Sequence, residues 1–239
     1  MSQKRCLLAL LLLIASVGIA AAQTSGFDGQ AAIERGNRSF AKEDYEGALR
    51  EYRSVPPSAG ETYAQALYNI GVCYYELWRT AEAIDFYQRA IDVRHGRYPR
   101  ALYALGVALE DQRRLTEAKE AYQQSIIASR GEYAVAHYRL GLLIAGQGDY
   151  QAAAATFRKA LSHPGRHVPA SHNNLGVMLA RLGRLTDARR EFEIALRLTG
   201  GIFDDAAHNL NLCRSLLTAP GRTQVAAFKV SEIYEEPIK

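Results

Sequence analysis

The sequence predicts an all-α protein, an α-solenoid of five helical hairpins plus a C-terminal capping helix. One observation is a set of five glycines, each 35 residues from the next, at Gly36, Gly71, Gly106, Gly141 and Gly176. Another is an alanine 12 residues after each glycine, followed four residues later by a ring at Tyr52, Tyr87, Tyr122, Phe157 and Phe192. A third is that prolines interrupt the pattern between repeats, where a helix must stop.

Each repeat is predicted to form two packed helices, because the spacings of three, four and seven residues are helical. A glycine without Cβ lets the next helix approach closely, small alanines allow tight crossing, and the ring fills the remaining gap. One hairpin cannot bury its apolar face alone, so it stacks on its neighbour. The predicted repeats are residues 29–63, 64–98, 99–133, 134–168 and 169–203.

The chain after the fifth repeat divides into a cap and a tail. A sixth copy begins at Asp204 and keeps the register with Asn211 in the glycine position, which predicts a solvated capping helix over 204–217. Residues 218–239 leave the pattern through Ala219-Pro220-Gly221 but retain several apolar side chains. This tail has three possible states: docking into a groove of the array, pairing with a partner, or disorder beyond the cap.

The units Ala66 to Val93 and Ser171 to Leu198 resemble the tetratricopeptide repeat, with its Leu-Gly, Ala, ring and Ala positions present. The resemblance extends from residue 29 to about 200, with a period of 35 in place of the usual 34. It implies a right-handed superhelix that binds other proteins and needs no cofactor.

The N-terminus has the pattern of an export signal. Residues 1–5 are basic, residues 6–22 are continuously apolar, and Ala20-Ala21-Ala22 provides the small residues that precede a cleavage site. Cleavage after Ala22 would leave a linker at 23–28 and place a bacterial protein in the periplasm or outside the cell. The alternative is an uncleaved N-terminal membrane anchor, since 17 apolar residues reach the lower limit for a span.

Composition narrows the class of function. Lys plus Arg number 29 against 25 Asp plus Glu, and loss of Lys4 and Arg5 with the signal lowers the net charge from +4 to +2. So small a charge disfavours non-specific nucleic-acid binding. Cys73 and Cys213 lie four repeats apart, which is too far for a disulfide.

A binding groove is predicted on the concave wall formed by the first helix of each repeat. Positions five, nine and twelve of that helix share a stripe, on which tyrosines recur at position five and aliphatic side chains at position nine, and position six adds three asparagines. Tyrosine offers contact area and a hydroxyl, whereas a side-chain amide can pair with both the donor and the acceptor of an extended strand. The tyrosines could instead pack the stack. The candidate groove residues are Tyr68, Asn69, Val72, Tyr103, Val107, Tyr138, Arg139, Leu142, Asn173, Asn174 and Val177.

No catalytic, metal or cofactor site is predicted. His163, His167 and His172 cluster without a nearby cysteine in a Pro/Gly loop, which favours ordinary loop histidines. We therefore expect a non-enzymatic scaffold that binds a peptide or helix of a cell-envelope protein. The alternative is a structural or assembly factor of an envelope machine, of pilus or secretion type, that acts by self-association or through its convex face.

Overall fold

The structure is a computed structural model that describes residues 28–218 and 227–233. The predicted signal peptide, nearly all of the linker and the rest of the tail lie outside these residues. The described part contains no strand and is built from eleven α-helices. They are α1 (Gly29–Phe40), α2 (Tyr45–Arg53), α3 (Glu61–Glu76), α4 (Thr80–Val93), α5 (Pro99–Asp111), α6 (Leu115–Ala128), α7 (Ala134–Gly146), α8 (Tyr150–Ala160), α9 (Val168–Arg181), α10 (Leu185–Leu198) and α11 (Asp204–Thr218).

The first ten helices form five antiparallel hairpins, which confirms the predicted fold class. The odd-numbered helices α1 to α9 are the first helices of the repeats, and each packs on the second helix that follows it. Each second helix also packs on the first helix of the next repeat, and α10 packs on α11. Buried apolar side chains therefore occur in every repeat and in the cap, from Ala32 to Leu216.

Within each hairpin the repeat glycine lies against the aromatic ring of the second helix, 16 residues later in the chain. A Cβ added to Gly106 would lie 2.5 Å from the Tyr122 ring, and one added to Gly176 would lie 2.6 Å from the Phe192 ring. Both rings are fully buried. No larger residue fits at these positions without displacement of a core ring.

The start of each second helix uses one of two devices at the same repeat position. Asp44 and Asp149 accept hydrogen bonds from backbone amides of the first turn, at 2.8 Å and 2.9 Å. The equivalent arginines of the other repeats instead pair with an acidic residue three positions on, as Arg79 does with Glu82 at 2.7 Å. Aspartate is a good N-cap, whereas these exposed ion pairs add little stability.

The turn inside each hairpin requires a left-handed residue, as at the end of many helices. Gly148 and Gly183 provide it in the last two repeats, with φ of 84° and 78°. The first three repeats place Glu43, Trp78 and Arg113 there. The Trp78 side chain is 92% exposed, so its backbone strain is not offset by packing.

Among the described helices, none combines the length and apolar character that crossing a membrane requires. Cys73 and Cys213 are both free and buried. Burial raises the pKa of the Cys73 thiol to about 12, so it stays protonated and behaves as a small apolar side chain.

Candidate functional site: the groove and the segment that occupies it

Residues 227–233, here called the tail segment, lie across the first helices of the array. Residues 228–233 form neither helix nor strand. Their main chain is held at every second residue, as in an extended segment. Its hydrogen-bond partners come from α7, α9 and α11, which are the first helices of repeats four and five and the cap. We call the surface formed by these three helices the groove.

Two asparagines hold the main chain of the tail segment in the same manner. Asn209 accepts a hydrogen bond from the Lys229 N–H and donates one to the Lys229 carbonyl, both at 2.8 Å. Asn174 accepts from the Ser231 N–H at 2.7 Å and donates to the Ser231 carbonyl at 2.8 Å. Each side-chain amide thus pairs with the donor and the acceptor of one residue, as a neighbouring strand would.

The third contact of this series comes from Arg139, which donates to the Ile233 carbonyl at 3.2 Å. Asn209, Asn174 and Arg139 occupy the sixth position of three consecutive first helices, 35 residues apart. The residues they hold are 229, 231 and 233, two apart. Each repeat of the solenoid therefore meets two residues of an extended segment that runs from the cap towards repeat four.

Charge around Arg139 holds it in place. Its guanidinium lies 3.8 Å from Glu110, whose carboxylate also accepts a hydrogen bond from the Tyr122 hydroxyl. Burial raises the pKa of Glu110, and the Tyr122 and Arg139 contacts lower it, with a net upward shift. Beyond Arg139 the groove continues as a cavity of about 260 Å³ lined by Val107, Glu110, Asp111, Arg113, Leu115, Arg139 and Glu232.

The Ser231 side chain lies in a polar pocket and is almost fully buried. Its hydroxyl accepts a hydrogen bond from Asn173 and donates one to Asp205, both at 2.9 Å. The Ser231 carbonyl accepts a further bond from the Tyr138 hydroxyl at 2.7 Å. Burial raises the pKa of Tyr138 well above its ordinary value, so the phenol keeps the proton that it donates.

Phe228 is the aromatic anchor of the tail segment and is 3% exposed. Its ring stacks on Phe192 with centroids 5.8 Å apart. In repeats two to four a tyrosine at the fifth position contacts the equivalent second-helix ring, as Tyr138 does with Phe157 at 6.1 Å. Repeat five has Asn173 at that position, and Phe228 of the tail segment supplies the missing ring.

The candidate groove residues named from the sequence divide by position. Tyr138, Arg139, Asn173 and Asn174 all hydrogen-bond the tail segment. Tyr68 and Tyr103 each lie between the ring on the second helix of the repeat and the ring at its last residue, at 5.5–5.8 Å, and both are buried. The other candidate groove residues are the buried Asn69, Val72 and Val177 and the partly buried Val107 and Leu142.

Several residues of the site were not among those candidates. Asp205 and Asn209 lie on the cap, and His208 there is 3.2 Å from the Ala227 carbonyl. Asn209 has the same repeat position as Asn174, so the 35-residue period could have identified it. It was left out because α11 was interpreted only as a cap. Phe228 and Ser231 had no such signal, because the tail does not follow the repeat.

The three histidines expected in a loop between repeats four and five do not all lie in it, because His172 is on α9, and they have separate partners. His167 is buried and contacts the Ala160 carbonyl at 2.8 Å, whereas His172 pairs with Glu191 at 2.7 Å. In the described part of the chain no three His, Cys, Asp or Glu side chains are grouped so as to hold a metal ion.

Sequence comparison identifies the repeats. Models of the tetratricopeptide repeat match residues 64–96, 90–133, 103–167 and 138–201, which together span more than half of the chain. The chain therefore belongs to the tetratricopeptide repeat family. Among curated protein sequences, none matches it significantly.

Solved structures of MamA share the fold. One crystal structure of MamA has 23% sequence identity and a TM-score of 0.58, covering 71% of this chain and 90% of that chain. Another has 25% identity and a TM-score of 0.58, covering 68% and 92%. MamA from residue 41 to the end, from Desulfovibrio magneticus RS-1, has 20% identity and a TM-score of 0.59, covering 74% and 98%.

Proposed function

We propose that this protein is an exported, non-enzymatic scaffold of the bacterial cell envelope that binds a segment of another envelope protein along its groove. The tetratricopeptide repeat fold is that of a protein-interaction scaffold. The observation that supports binding of a segment in the groove is the pairing of Asn174 and Asn209 with both main-chain groups of an extended segment.

The contact pattern favours an extended ligand over a helix. A helix satisfies its own main-chain donors and acceptors, so it would leave the amides of Asn174 and Asn209 without partners. An extended strand offers alternate N–H and C=O pairs to one side. Because Asn174 and Asn209 are buried, leaving their amides without hydrogen bonds would cost free energy. The groove therefore favours an extended strand as its ligand.

The location rests on the sequence of the first 22 residues, with their basic start, apolar run and small-residue end. In a bacterial host the purified protein is expected to come from the periplasm or the medium and to begin at Gln23. Edman sequencing of that protein checks this, and an intact Met1 would favour the membrane anchor.

The binding function is tested by selection from a display library of random twelve-residue peptides. Phe228→Ala in the full chain is used as bait, because it loosens the tail segment and opens the groove. Selected peptides are expected to bind at least tenfold more weakly when Asn174→Ala and Asn209→Ala are added, since both amides then lose their bonds to the ligand main chain.

The matched control is Asn211→Ala, which removes the same side chain from an exposed position of the same helix α11. It is expected to leave the peptide affinity unchanged. The proposal is contradicted if the selected peptides bind the bait equally well with and without the Asn174→Ala and Asn209→Ala changes. The binding surface would then lie away from the groove.

A further inference from the structure

Two side chains of the tail segment are held in pockets of their own, in addition to the main-chain contacts. Phe228 and Ser231 are 3% and 4% exposed, whereas the neighbouring Lys229 and Glu232 are exposed to solvent. Main-chain pairing alone accepts almost any extended sequence. The two buried side chains are therefore where the groove discriminates among sequences.

The pocket for the aromatic ring exists because of a single departure from the repeat pattern. A tyrosine fills the equivalent space in repeats two, three and four, with its ring 5.8–6.1 Å from the second-helix ring. Asn173 is too short to do so, and it turns its amide to Lys229 and Ser231 instead. Phe192 is left with an open face that an incoming ring can cover.

The pocket for Ser231 selects a small hydroxyl group. The hydroxyl accepts from the Asn173 amide and donates to the Asp205 carboxylate. An alanine at this position would remove the hydrogen bonds that the hydroxyl makes with Asn173 and Asp205, and a large side chain would not fit between α9 and α11. Burial of unpaired polar groups is costly, so the pocket favours serine or threonine.

We propose that the groove is a receptor for an extended segment with an aromatic residue followed three positions later by serine or threonine, and that the tail segment is its built-in competitor. This inference rests on the proposed function. Because Phe228 and Ser231 of the tail segment meet the same requirement, a partner with this pattern must displace the tail segment to bind.

The test uses a fluorescein-labelled peptide with the sequence of residues 227–233 and measures fluorescence anisotropy. Ser231→Arg in the full chain cannot seat its own tail, so it is expected to bind the peptide at least tenfold more tightly than wild type. Lys229→Ala, which changes a solvent-facing side chain of the same segment, is expected to behave as wild type. Phe228→Ala is a second releasing variant should Ser231→Arg not fold, as judged by circular dichroism.

Specificity is tested by adding Asn173→Tyr to the released chain. This change restores the side chain found at the same position of the three preceding repeats, so the fold is expected to persist while the ring pocket is filled. Peptide affinity is expected to fall at least tenfold, and to fall equally when the peptide carries alanine in place of its phenylalanine or its serine.

Two results would overturn the inference: equal peptide affinity of wild type and both releasing variants, or peptide binding that Asn173→Tyr leaves unchanged. Its failure is separable from that of the proposed function. Library peptides that depend on Asn174 and Asn209 but lack the aromatic and hydroxyl pattern would retain the binding function and reject the specificity. Absence of any groove-dependent peptide would reject the binding function itself.

Discussion

Single residues determine how closely the two helices of a hairpin approach. The ring that faces Gly106 belongs to Tyr122, which is fully buried and whose hydroxyl is bonded to Glu110. The ring is therefore fixed at both ends and cannot rotate away from an added methyl group. The repeat glycines are required for contact between helices, whereas the glycines with positive φ serve the turns.

We expect Gly106→Ala to lower the free energy of unfolding by about 1–2 kcal/mol, because the overpacking cost exceeds the gain in helix propensity. Gly146→Ala is the control, since a Cβ there meets no atom within 4 Å and the residue is also helical. It should raise the free energy of unfolding by up to about 1 kcal/mol. Urea denaturation followed by circular dichroism measures both, and stabilisation by Gly106→Ala would refute the packing argument.

A buried histidine on α7 makes stability depend on pH. Burial lowers the pKa of His137, the charge of Lys159 lowers it further, and a hydrogen bond with the Gly131 backbone raises it in part. The folded state thus takes up the proton at lower pH than the unfolded state, whose histidine has a pKa of about 6.5. The stability contributed by neutral His137 is therefore present above pH 6.5 and is lost as the pH falls from there through the folded pKa.

The variant His137→Gln isolates this contribution because glutamine does not titrate. Between pH 7.5 and pH 5.0, the free energy of unfolding of wild type is expected to fall more than that of His137→Gln. Urea denaturation of both proteins at the two pH values gives the four free energies of unfolding that are compared. Equal losses for the two proteins would show that the pKa of His137 is the same in the folded and unfolded states.

At the scale of elements, α11 has two roles. It covers the apolar face of repeat five through Leu210 and Cys213, and it presents Asp205 and Asn209 to the tail segment. Asn209 also donates to the side-chain amide oxygen of Asn173 at 2.8 Å, so it links the cap to repeat five. The cap is therefore part of the binding surface as well as a cover for the core.

We expect Asn209→Ala to lower the free energy of unfolding by about 1–3 kcal/mol, because the side-chain oxygen of Asn173 and the N–H of Lys229 lose their bonds to Asn209. Asn211→Ala, exposed on the same helix, should change it by less than about 0.5 kcal/mol. Amide exchange adds a local measure, since the Lys229 N–H should exchange faster in Asn209→Ala alone. Unchanged exchange there would mean that the amide does not hold the tail segment.

The hairpins were predictable from the sequence because their contacts recur every 35 residues and lie within about 16 residues of each other, as Gly106 and Tyr122 do. The binding position of the tail segment was not predictable from the sequence. Its hydrogen bonds with repeats four and five join residues 56 to 94 positions apart and occur once, as between Asn174 and Ser231 or Arg139 and Ile233. Only three-dimensional packing shows that Asn173 opens a space that Phe228 fills, and sequence alone left three states of the tail open.

At the scale of the whole molecule, a solenoid transmits stability only between neighbouring repeats. The tail segment is an exception, because it contacts α7, α9 and α11 at once and so joins two repeats and the cap. Its apolar residues belong with the buried cluster that runs from Tyr138 to the cap. A separate buried cluster spans the repeats from Ala32 to Leu140.

Loosening the tail segment should therefore weaken one half of the molecule. In Phe228→Ala, hydrogen exchange measured by mass spectrometry is expected to accelerate in peptides from α9 to α11, because Phe192 and the groove asparagines lose their cover. Peptides from α1 to α4 should exchange as in wild type, since no described contact joins them to the tail segment. Lys229→Ala should match wild type throughout, and acceleration spread evenly over all five repeats would mean that the array unfolds as one unit, so that the tail segment stabilises the whole protein instead of its C-terminal half.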